Sequence, residues 1–391
     1  MTAKTAKIAQ SDSPAKIGYI LGGEHTARTV KLIRAAAATN NTVMLWGAPG
    51  VGKTALVEAL ANQEGVAGMV RVLTGTQDRS DTLGMPSRSV FTDDEGREYP
   101  TTVYSTPEWA LTANNAKGGD FFVFLDELAQ AEPDVQGTFL TILQSRVMPS
   151  GMKFGDHVKF VAAGNPTDLV ASGYELIEPL QNRLVHLTYE PPASEWFEGM
   201  IAAWGKDVSD EEATLRRYIV GYLVGHRDRL HQPTAAGSTE NAWPSRRSWD
   251  NLARMGAMLM DDKDTLEAAA TGLVGKAAAS DFVTSVFRIA VKSPEEIVAD
   301  PSCVDWSHSF QGFVGLSSVV SWLSNPKDVE AVIAVFNHAV KNGPRDVAAT
   351  WIKPLIVRIR EIGGDKLAVK KLDMTEAGFK DFLPMIYSTL K

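Results

Sequence analysis

The sequence predicts an α/β fold with a parallel sheet, followed by a region made only of helices. First, short apolar strand patterns alternate with helical patterns up to about residue 190, and this alternation is typical of a parallel sheet with helices on both faces. Second, strand patterns stop near Pro191, and Trp, Leu, Val and Ala then recur at helical spacing as far as Lys391. Third, a glycine-rich turn joins the first strand pattern to a helix.

The composition is that of an ordinary globular protein. The chain has 391 residues, enough for two or three domains, with 44% hydrophobic and 22% charged residues. Its formal net charge is -8. Proteins that wrap duplex nucleic acid need an excess of Lys and Arg, so we do not expect nucleic acid to be a partner.

The ends of the chain and its cysteine content bear on location. Residues 1–16 are polar and lack the apolar core of a signal peptide, so they are expected to form a flexible tail. No apolar run approaches ~18 residues, the length that a membrane span needs. Cys303 is the single cysteine and fits a reducing compartment. These features predict a cytoplasmic protein without a membrane segment.

Four elements are predicted before residue 74. A helix over Thr26–Thr39 comes first, with Thr26 as a candidate N-cap. The buried strand "TVMLW" follows, and the next helix, "KTALVEALANQ", directs Leu56, Val57 and Leu60 inward. A second strand lies in "MVRVLTG".

Residues 75–118 differ from the segments on either side. They are rich in Thr, Ser, Asp, Gly and Pro, with short β-like pieces around "SVF" and "TTVYS". This segment is too long for a plain connection and indicates an inserted functional element. Leu83 and Met85 are candidates for lining a central pore, although core packing is the favoured interpretation.

Strand and helix patterns resume after the insertion. The pattern "GGDFFVFLDEL" predicts a buried strand, and "VQGTFLTILQS" predicts a helix. The stretch "RVMPSGMKFGDHVKFVAAGN" predicts a hairpin that runs into another buried strand, and "RLVHLTYE" predicts a fifth strand.

The turn "GAPGVGKT" fits the phosphate-binding pattern G-x-x-x-x-G-K-[ST] at every fixed position. Glycines let successive backbone N–H groups point at phosphate oxygens, and the following helix adds the positive end of its dipole. The Lys53 ammonium is suited to the β- and γ-phosphates, and the Thr54 hydroxyl to Mg²⁺. The predicted nucleotide-binding residues here are Gly47, Ala48, Pro49, Gly50, Val51, Gly52, Lys53, Thr54 and Ala55.

Two carboxylates follow the strand in "FFVFLDEL". Ligands of open parallel sheets bind at the carboxyl ends of the strands, where Asp126 and Glu127 lie. Asp126 is suited to hold the hydration shell of Mg²⁺, and Glu127 to take a proton from an attacking water. The alternative is an acidic pair that caps a helix.

Three further polar positions are candidates for the same site. Asn165 follows a buried strand and would reach the attacking water or the γ-phosphate if that strand lies between the two earlier ones; the alternative is an ordinary turn before Pro166. Arg183 is a candidate finger for a neighbouring subunit's nucleotide, and the alternative is an ion pair within the chain. Arg146 is a second candidate for action in trans, weighed equally against a surface role.

A pair of arginines opens a helix of the second region. Arg246 and Arg247 lie in "AWPSRRSWDNL". One of them is predicted to reach the γ-phosphate and report hydrolysis to the helical region. The alternative is a basic first turn on a solvated face.

The ordered set "GAPGVGKT", "FFVFLDEL", "AAGN", "LQNRLVH" and "PSRRSW" resembles the MoxR family of AAA+ ATPases. The likeness is closest to the von Willebrand factor A-associated branch with "PEW" before the acidic strand, seen here in "STPEWA", and it covers about residues 20–255. The resemblance implies an αβα nucleotide-binding domain followed by a helical lid, arranged as a hexameric ring with ATP between subunits.

The resemblance also implies boundaries and roles. The expected segments are the domain at 17–190, the lid at 191–290, a helix-2 insertion within 75–118 and a hairpin at 146–157; a C-terminal helical extension at 291–391 is expected from its helical pattern and lies beyond the resemblance. Lys53 and Thr54 match the phosphate loop, Asp126 and Glu127 the acidic motif, Asn165 the first sensor, Arg183 the finger and Arg247 the lid arginine. Arg246 stands where the family usually has proline, so either arginine can be the lid sensor.

The expected function is therefore that of an ATPase that uses ATP and Mg²⁺ to remodel or activate a protein partner. MoxR-like proteins commonly act with von Willebrand factor A proteins, so such a partner is one implication of the resemblance. The alternatives are a nucleic-acid motor or loader, and a scaffold that binds ATP with little turnover.

Overall fold

The computed structural model describes residues 23–166, 174–233, 241–288 and 292–363. The predicted N-terminal tail, residues 1–16, and the last 28 positions of the predicted C-terminal extension, 364–391, lie outside these ranges. Two compact units divide the chain near residue 192: the first reaches Pro192, and the second contains Ala193–Ala203 and the chain from Asp207 onward.

The first unit contains all of the strands in the described part of the chain. They are β1 (Thr42–Trp46), β2 (Val66–Leu73), β3 (Pro86–Thr92), β4 (Glu98–Tyr104), β5 (Asp120–Asp126), β6 (Val158–Gly164) and β7 (Leu184–Thr188). The helices of this unit are α1 (Glu24–Ala38), α2 (Lys53–Ala61), α3 (Arg79–Leu83), α4 (Glu108–Asn115), α5 (Pro133–Ser145) and α6 (Glu178–Gln181).

Five strands form one parallel sheet in the order β2-β5-β6-β1-β7. The strand after the hairpin segment, β6, therefore lies between β1 and β5, which meets the condition that the sequence set for a role of Asn165. The predicted α/β fold with a parallel sheet is confirmed.

The central strands are buried on both faces, as expected for parallel strands covered by helices. Alternate side chains of β5 divide between the two faces of the sheet. Phe122 and Phe124 pack in one apolar cluster with residues of α1 and α2, including the predicted inward residues Leu56, Val57 and Leu60. Phe121, Val123 and Leu125 pack in a second apolar cluster, on the opposite face, with Phe139 and Ile142 of α5.

Several boundaries differ from the sequence prediction. Helix α1 begins at Glu24, with Gly23 at the N-cap position, so Thr26 is not the cap. The buried Thr26 hydroxyl instead lies 3.4 Å from the hydroxyl of Tyr189. Helix α5 begins at Pro133, two residues before the predicted start, because the fixed φ of proline and its missing N–H suit the first helical position.

The segment 75–118 holds more regular structure than its composition predicted. Helix α3 starts with a capping box at Asp78, and the unpredicted helix α4 lies near the C-terminal end of the segment. The short β-like pieces form the antiparallel pair β3–β4, in which every residue is at least partly exposed. The prediction of core packing is wrong for Met85, whose side chain is 64% exposed. Met85 directly precedes β3, and the hairpin β3–β4 is not covered by other described elements of this unit.

In the described part of the chain, the second unit is helical. Its helices are α7 (Ala193–Ile201), α8 (Asp210–Gly225), α9 (Arg246–Gly256), α10 (Lys263–Val274), α11 (Lys276–Arg288), α12 (Pro294–Ala299), α13 (Ser309–Trp322), α14 (Val329–Asn342) and α15 (Arg345–Glu361). None of the helices in the described ranges is both long and apolar enough to cross a membrane.

The second unit contains a buried ion-pair network centred on Arg216 of α8. Its guanidinium lies 2.7 Å from Glu212 and 2.8 Å from Asp250, and its side chain is 2% exposed. Arg254 pairs with the other oxygen of Asp250 at 2.9 Å, but its side chain is 51% exposed. Arg216 therefore contributes to stability as a buried charge, whereas the Arg254 side chain is exposed to solvent.

We expect the substitution Arg216→Ala to lower the free energy of unfolding of the second unit by about 3 kcal/mol, because it removes the buried cation that Glu212 and Asp250 share. The control Arg254→Ala, on the same Asp250, is expected to cost less than about 1 kcal/mol. Urea unfolding of the full chain, followed by tryptophan fluorescence, measures both. Equal losses for the two variants would contradict this assignment.

Candidate functional site

The strand register brings three sequence motifs to one edge of the sheet. Trp46 at the end of β1 is level with Gly164 at the end of β6, and Leu125 of β5 is level with Ala162 of β6. The residues that follow these strands therefore emerge together, at the carboxyl edge where ligands of open parallel sheets bind.

The loop between β1 and α2 has the backbone that a phosphate site requires. Gly50 and Gly52 have φ values of 78° and 107°, in the left-handed region that favours glycine. At Gly47, a Cβ atom would lie 2.6 Å from the backbone oxygen of Tyr189, so a larger residue would not fit. Helix α2 begins at Lys53, directly after the loop, and its N-terminus favours an anion.

Lys53 is buried at the centre of the site. Its Nζ donates to the carbonyl oxygens of Gly47 at 2.6 Å and Ala48 at 3.2 Å, and to Oδ1 of Asn165 at 2.8 Å. The last contact joins the phosphate loop to the end of β6 and orients the amide of Asn165. With its oxygen held by the ammonium, Asn165 presents its NH₂ group as a donor.

Asp126 is buried at the end of β5, and both of its carboxylate oxygens accept hydrogen bonds. Oδ1 accepts from the Glu127 N–H at 3.1 Å. Oδ2 accepts from the Thr54 hydroxyl at 3.3 Å and from Arg71 Nε at 2.8 Å, and a second guanidinium nitrogen of Arg71 lies 2.6 Å away. The Thr74 hydroxyl donates to the Asp126 carbonyl at 2.7 Å.

These residues fit Mg²⁺. The metal prefers hard oxygen ligands, and the Thr54 hydroxyl and the Asp126 carboxylate are such ligands, 3.3 Å apart and beside the phosphate loop. The Arg71 guanidinium already lies against Asp126, which shows that the position favours a cation.

Glu127 lies just after β5 in an unusual backbone conformation. Its φ is 62° and its ψ is 31°, a left-handed conformation that costs roughly 1–2 kcal/mol for a residue with a side chain. Its side chain is exposed, unlike that of Asp126, and lies against Gly75. A Cβ atom at Gly75 would lie 3.2 Å from Oε2 of Glu127 and 3.3 Å from its Cβ.

Gln130 ties the acidic turn to the end of β6. With its amide oriented so that both neighbours are satisfied, it donates to the Glu127 carbonyl at 3.3 Å and accepts from the Asn165 N–H at 3.2 Å. This bridge spans the gap between two strand ends, so it fixes the spacing of Glu127 and Asn165.

The candidate trans-acting arginines differ in their surroundings. Arg183 is exposed and donates to the Pro179 carbonyl at 2.8 Å; within the described residues it forms no ion pair, so the predicted alternative of an ion pair in the chain is not found there. Arg146 is half-buried and donates to the carbonyls of Gly155 at 2.9 Å and Val158 at 2.7 Å. Arg146 thus holds its own hairpin to β6, and a role in trans stays a prediction.

The two candidate lid arginines lie in the second unit, at the start of α9. The helix begins with a capping box between Ser245 and Ser248. Burial and then the charge of Arg246 lower the pKa of His231, so Arg246 lies close to that ring. Arg247 is exposed, and its side chain makes no hydrogen bond or ion pair within the part of the chain that the structure describes.

Residues 20–173 match the model of a known family, described as the Sigma-54 interaction domain. This segment holds the phosphate loop, the acidic pair and Asn165, and it is less than half of the chain. No curated protein matches the chain.

Several solved structures are similar to most of the chain at low identity. A putative ATPase from Cytophaga hutchinsonii is 12% identical, with 96% of this chain and 91% of that chain covered and a TM-score of 0.31. NtrX from Brucella abortus is 14% identical, with 93% of this chain and 68% of that chain covered and a TM-score of 0.39. A point mutant of RuvB from Thermotoga maritima is 14% identical, with 71% of this chain and 81% of that chain covered and a TM-score of 0.38. TM-scores this low support no conclusion about the function of this chain.

The chain is an ATP hydrolase with an AAA+ fold. The wider prediction of an AAA+ ATPase is confirmed, whereas the narrower assignment to the MoxR family stays a prediction.

Arg71 and Gly75 are two of the site residues of this ATPase that sequence patterns did not predict. Arg71 carried a signal, since it is a charged residue within the apolar strand pattern "MVRVL". Gly75 carried little signal, because its importance depends on the side chain of Glu127, which is far away in sequence and touches it only in the fold.

We expect Gly75→Ala to lower ATP turnover by about 10-fold or more while ATP affinity changes by less than about 2-fold. The added methyl group would push the Glu127 side chain aside by a few tenths of an ångström, and the rate of a reaction is sensitive to the placement of its catalytic groups. Phosphate release and equilibrium nucleotide binding measure the two quantities.

Gly137→Ala is the matched control, because nothing lies within 4 Å of a Cβ atom at that helical position. It is expected to keep wild-type turnover. If Gly75→Ala also turned over ATP at the wild-type rate, the packing of Glu127 on this glycine would have no catalytic consequence.

Proposed function

We propose that this ATP hydrolase is a ring-forming, MoxR-like motor that uses the energy of hydrolysis to remodel a protein partner. The observation that carries the proposal is the convergence of Lys53, Asp126, Glu127 and Asn165 at one sheet edge. Two of the hydrogen bonds there, Lys53 to Asn165 and Thr54 to Asp126, join residues far apart in sequence, and a third joins the adjacent Asp126 and Glu127. This set contains a phosphate ligand, a metal ligand, a base and a donor.

The proposed chemistry divides among these residues. The Glu127 carboxylate accepts a proton from the attacking water, whose oxygen bonds to the γ-phosphorus as the bond to the bridging oxygen breaks, giving ADP and phosphate. The Asn165 NH₂ group holds the water or a γ-phosphate oxygen in position. The Lys53 ammonium offsets the charge on the phosphates. Mg²⁺, when held by Thr54 and through water by Asp126, supplies further neutralisation of that charge.

Arg183 is proposed to act on the nucleotide of a neighbouring subunit. It is exposed, and it donates to a carbonyl oxygen rather than to a carboxylate, so its positive charge is not neutralised by an ion pair among the described residues. A finger of this kind stabilises charge in the transition state and contributes about 10³–10⁵ to turnover.

Arg247 is proposed to be the lid sensor in preference to Arg246. Arg246 lies close to His231 within the second unit, whereas Arg247 is exposed. An exposed arginine at the start of a helix is available to bind a phosphate group. Its proposed role is to report loss of the γ-phosphate to the helical unit.

The proposed client is a protein, and a von Willebrand factor A protein is one candidate. The hairpin β3–β4 supports a protein client, because it presents Val90, Phe91 and Tyr99 to solvent, and Met85, directly before β3, is also exposed. Apolar side chains exposed together in this way mark sites of protein contact. The net charge of -8 disfavours nucleic acid as the client.

The family match suggests a second class of client. The matched model is described as an interaction domain for sigma-54, so a transcription factor is an alternative to a von Willebrand factor A protein. Capture of the client by an ATP-locked ring distinguishes the two.

We expect Glu127→Gln to retain ATP binding and to lower turnover by about 10²–10⁴-fold, because the amide cannot accept the proton from water. The experiment measures phosphate release and nucleotide affinity, followed by identification of proteins that copurify with this variant in the presence of ATP.

Glu58→Gln, on the exposed face of α2, is the matched control and should behave as wild type. Normal turnover of Glu127→Gln would remove this residue from the mechanism. Negligible turnover of the wild-type protein, together with ATP-dependent assembly, would favour the scaffold instead.

We expect Arg183→Ala to lose turnover without losing ATP binding, and to regain activity when mixed with Glu127→Gln subunits. In a mixed ring, an interface can combine an intact Glu127 from one subunit with an intact Arg183 from its neighbour. Turnover measured across mixing ratios should pass through a maximum. Absence of rescue at every ratio would count against action in trans.

A further inference from the structure

Arg71 is the cation that pairs with the metal-binding carboxylate in this structure. Two nitrogens of its guanidinium lie 2.8 Å and 2.6 Å from Oδ2 of Asp126. The same oxygen accepts from the Thr54 hydroxyl, and Thr54 is the other residue that fits Mg²⁺. Arg71 therefore occupies the side of Asp126 that faces the metal ligands.

The contact with Arg71 uses the hydrogen-bonding capacity of Asp126 that a metal-bound water would need. A carboxylate oxygen has about two lone pairs, and Oδ2 already has three donor atoms around it. Oδ1 accepts one hydrogen bond, from the backbone of Glu127. A water from the hydration shell of Mg²⁺ meets no open lone pair on Oδ2 while Arg71 remains there.

The arrangement of the strands explains why Arg71 reaches this oxygen and why it can leave. Arg71 is level with Phe124, and Leu73 is level with Asp126, so Arg71 and Asp126 are diagonal neighbours on one face of the sheet. Strand β2 is at the edge of the sheet. The Arg71 side chain is 43% exposed, whereas that of Asp126 is 7% exposed, so the guanidinium has a route to water and the carboxylate does not.

We propose that Arg71 is a counter-ion that competes with Mg²⁺ for Asp126, so that metal binding at the nucleotide site requires the guanidinium to withdraw from Oδ2. The pair satisfies a buried carboxylate before the metal arrives, since an unpaired buried charge is costly. Arg71 thus sets the Mg²⁺ concentration at which the site binds metal-bound nucleotide. This inference rests on the proposed role of Asp126 and Thr54 as metal ligands.

The test is a Mg²⁺ titration of nucleotide binding in the full-length protein. The affinity for a non-hydrolysable ATP analogue with an imido bridge between the β- and γ-phosphates is measured over a series of free Mg²⁺ concentrations. For Arg71→Gln we expect the midpoint of the Mg²⁺ dependence to fall by about 3- to 10-fold, the effect of removing a charged hydrogen-bonded competitor that is partly exposed.

Two further variants separate this effect from others. Arg34→Gln removes the same charge from α1, where Arg34 bonds to Gln63, and should leave the midpoint unchanged. Arg71→Lys keeps a cation but loses the guanidinium fork, and should lower the midpoint by about 2-fold. It provides the test if Arg71→Gln does not fold.

A second readout uses Mg²⁺ alone. We expect about 5 mM Mg²⁺ without nucleotide to raise the thermal unfolding midpoint of Arg71→Gln more than that of the wild type, because the metal can then replace the lost counter-ion.

Unchanged or raised Mg²⁺ midpoints in both Arg71 variants would contradict the proposal that Arg71 competes with Mg²⁺. A raised midpoint would indicate that Arg71 positions Asp126 for the metal instead. If the wild-type protein bound the analogue without any dependence on Mg²⁺, the proposed metal ligands would be wrong, and the inference would fail with them. Metal-dependent binding in the wild type, with no shift in the variants, would overturn the inference alone.

Discussion

The parallel register of β1, β6 and β5 is the constraint on which the site depends. Each strand ends in a different motif, and the side chains meet only because Trp46 is level with Gly164 and Leu125 with Ala162. A slip of one residue in any pair would turn the apolar side chains of a strand to the opposite face. Burial of both faces therefore fixes the register, and the register fixes the site. The apolar core and the catalytic geometry are two results of one packing arrangement.

Backbone conformation then places the polar groups that the strands bring together. Glycines at positive φ shape the phosphate loop without steric cost. Glu127 adopts a similar conformation with a side chain attached, which costs free energy. The surrounding contacts offset that cost, since its N–H donates to Asp126 and its carbonyl accepts from Gln130. The strained turn separates two adjacent carboxylates, so that Asp126 is buried among donors and Glu127 extends toward solvent.

The sequence predicted the features that depend on local patterns. The apolar runs of β1, β5 and β6 and the spacing of "GAPGVGKT" are local, and the structure has the strands where these patterns placed them. The start of α1, helix α4 and the exposure of Met85 were missed, because they depend on which surfaces other segments cover. The interaction of Arg71 with Asp126 joins residues 55 positions apart. An interaction of that kind follows from strand order, which no local pattern contains.

The internal partners of Lys53 and Asp126 change how ligand binding should be understood. Each buried charge is satisfied within the chain, Lys53 by two carbonyl oxygens and Asn165, and Asp126 by Thr54, Arg71 and a backbone N–H. A buried charge without partners would destabilise the fold, so these contacts are needed before any nucleotide arrives. Under the proposed function, binding of phosphate and metal is then an exchange of partners rather than the filling of an unsatisfied site. The affinity for ligand is set by the difference between two sets of contacts, and residues that never touch the nucleotide help to determine it.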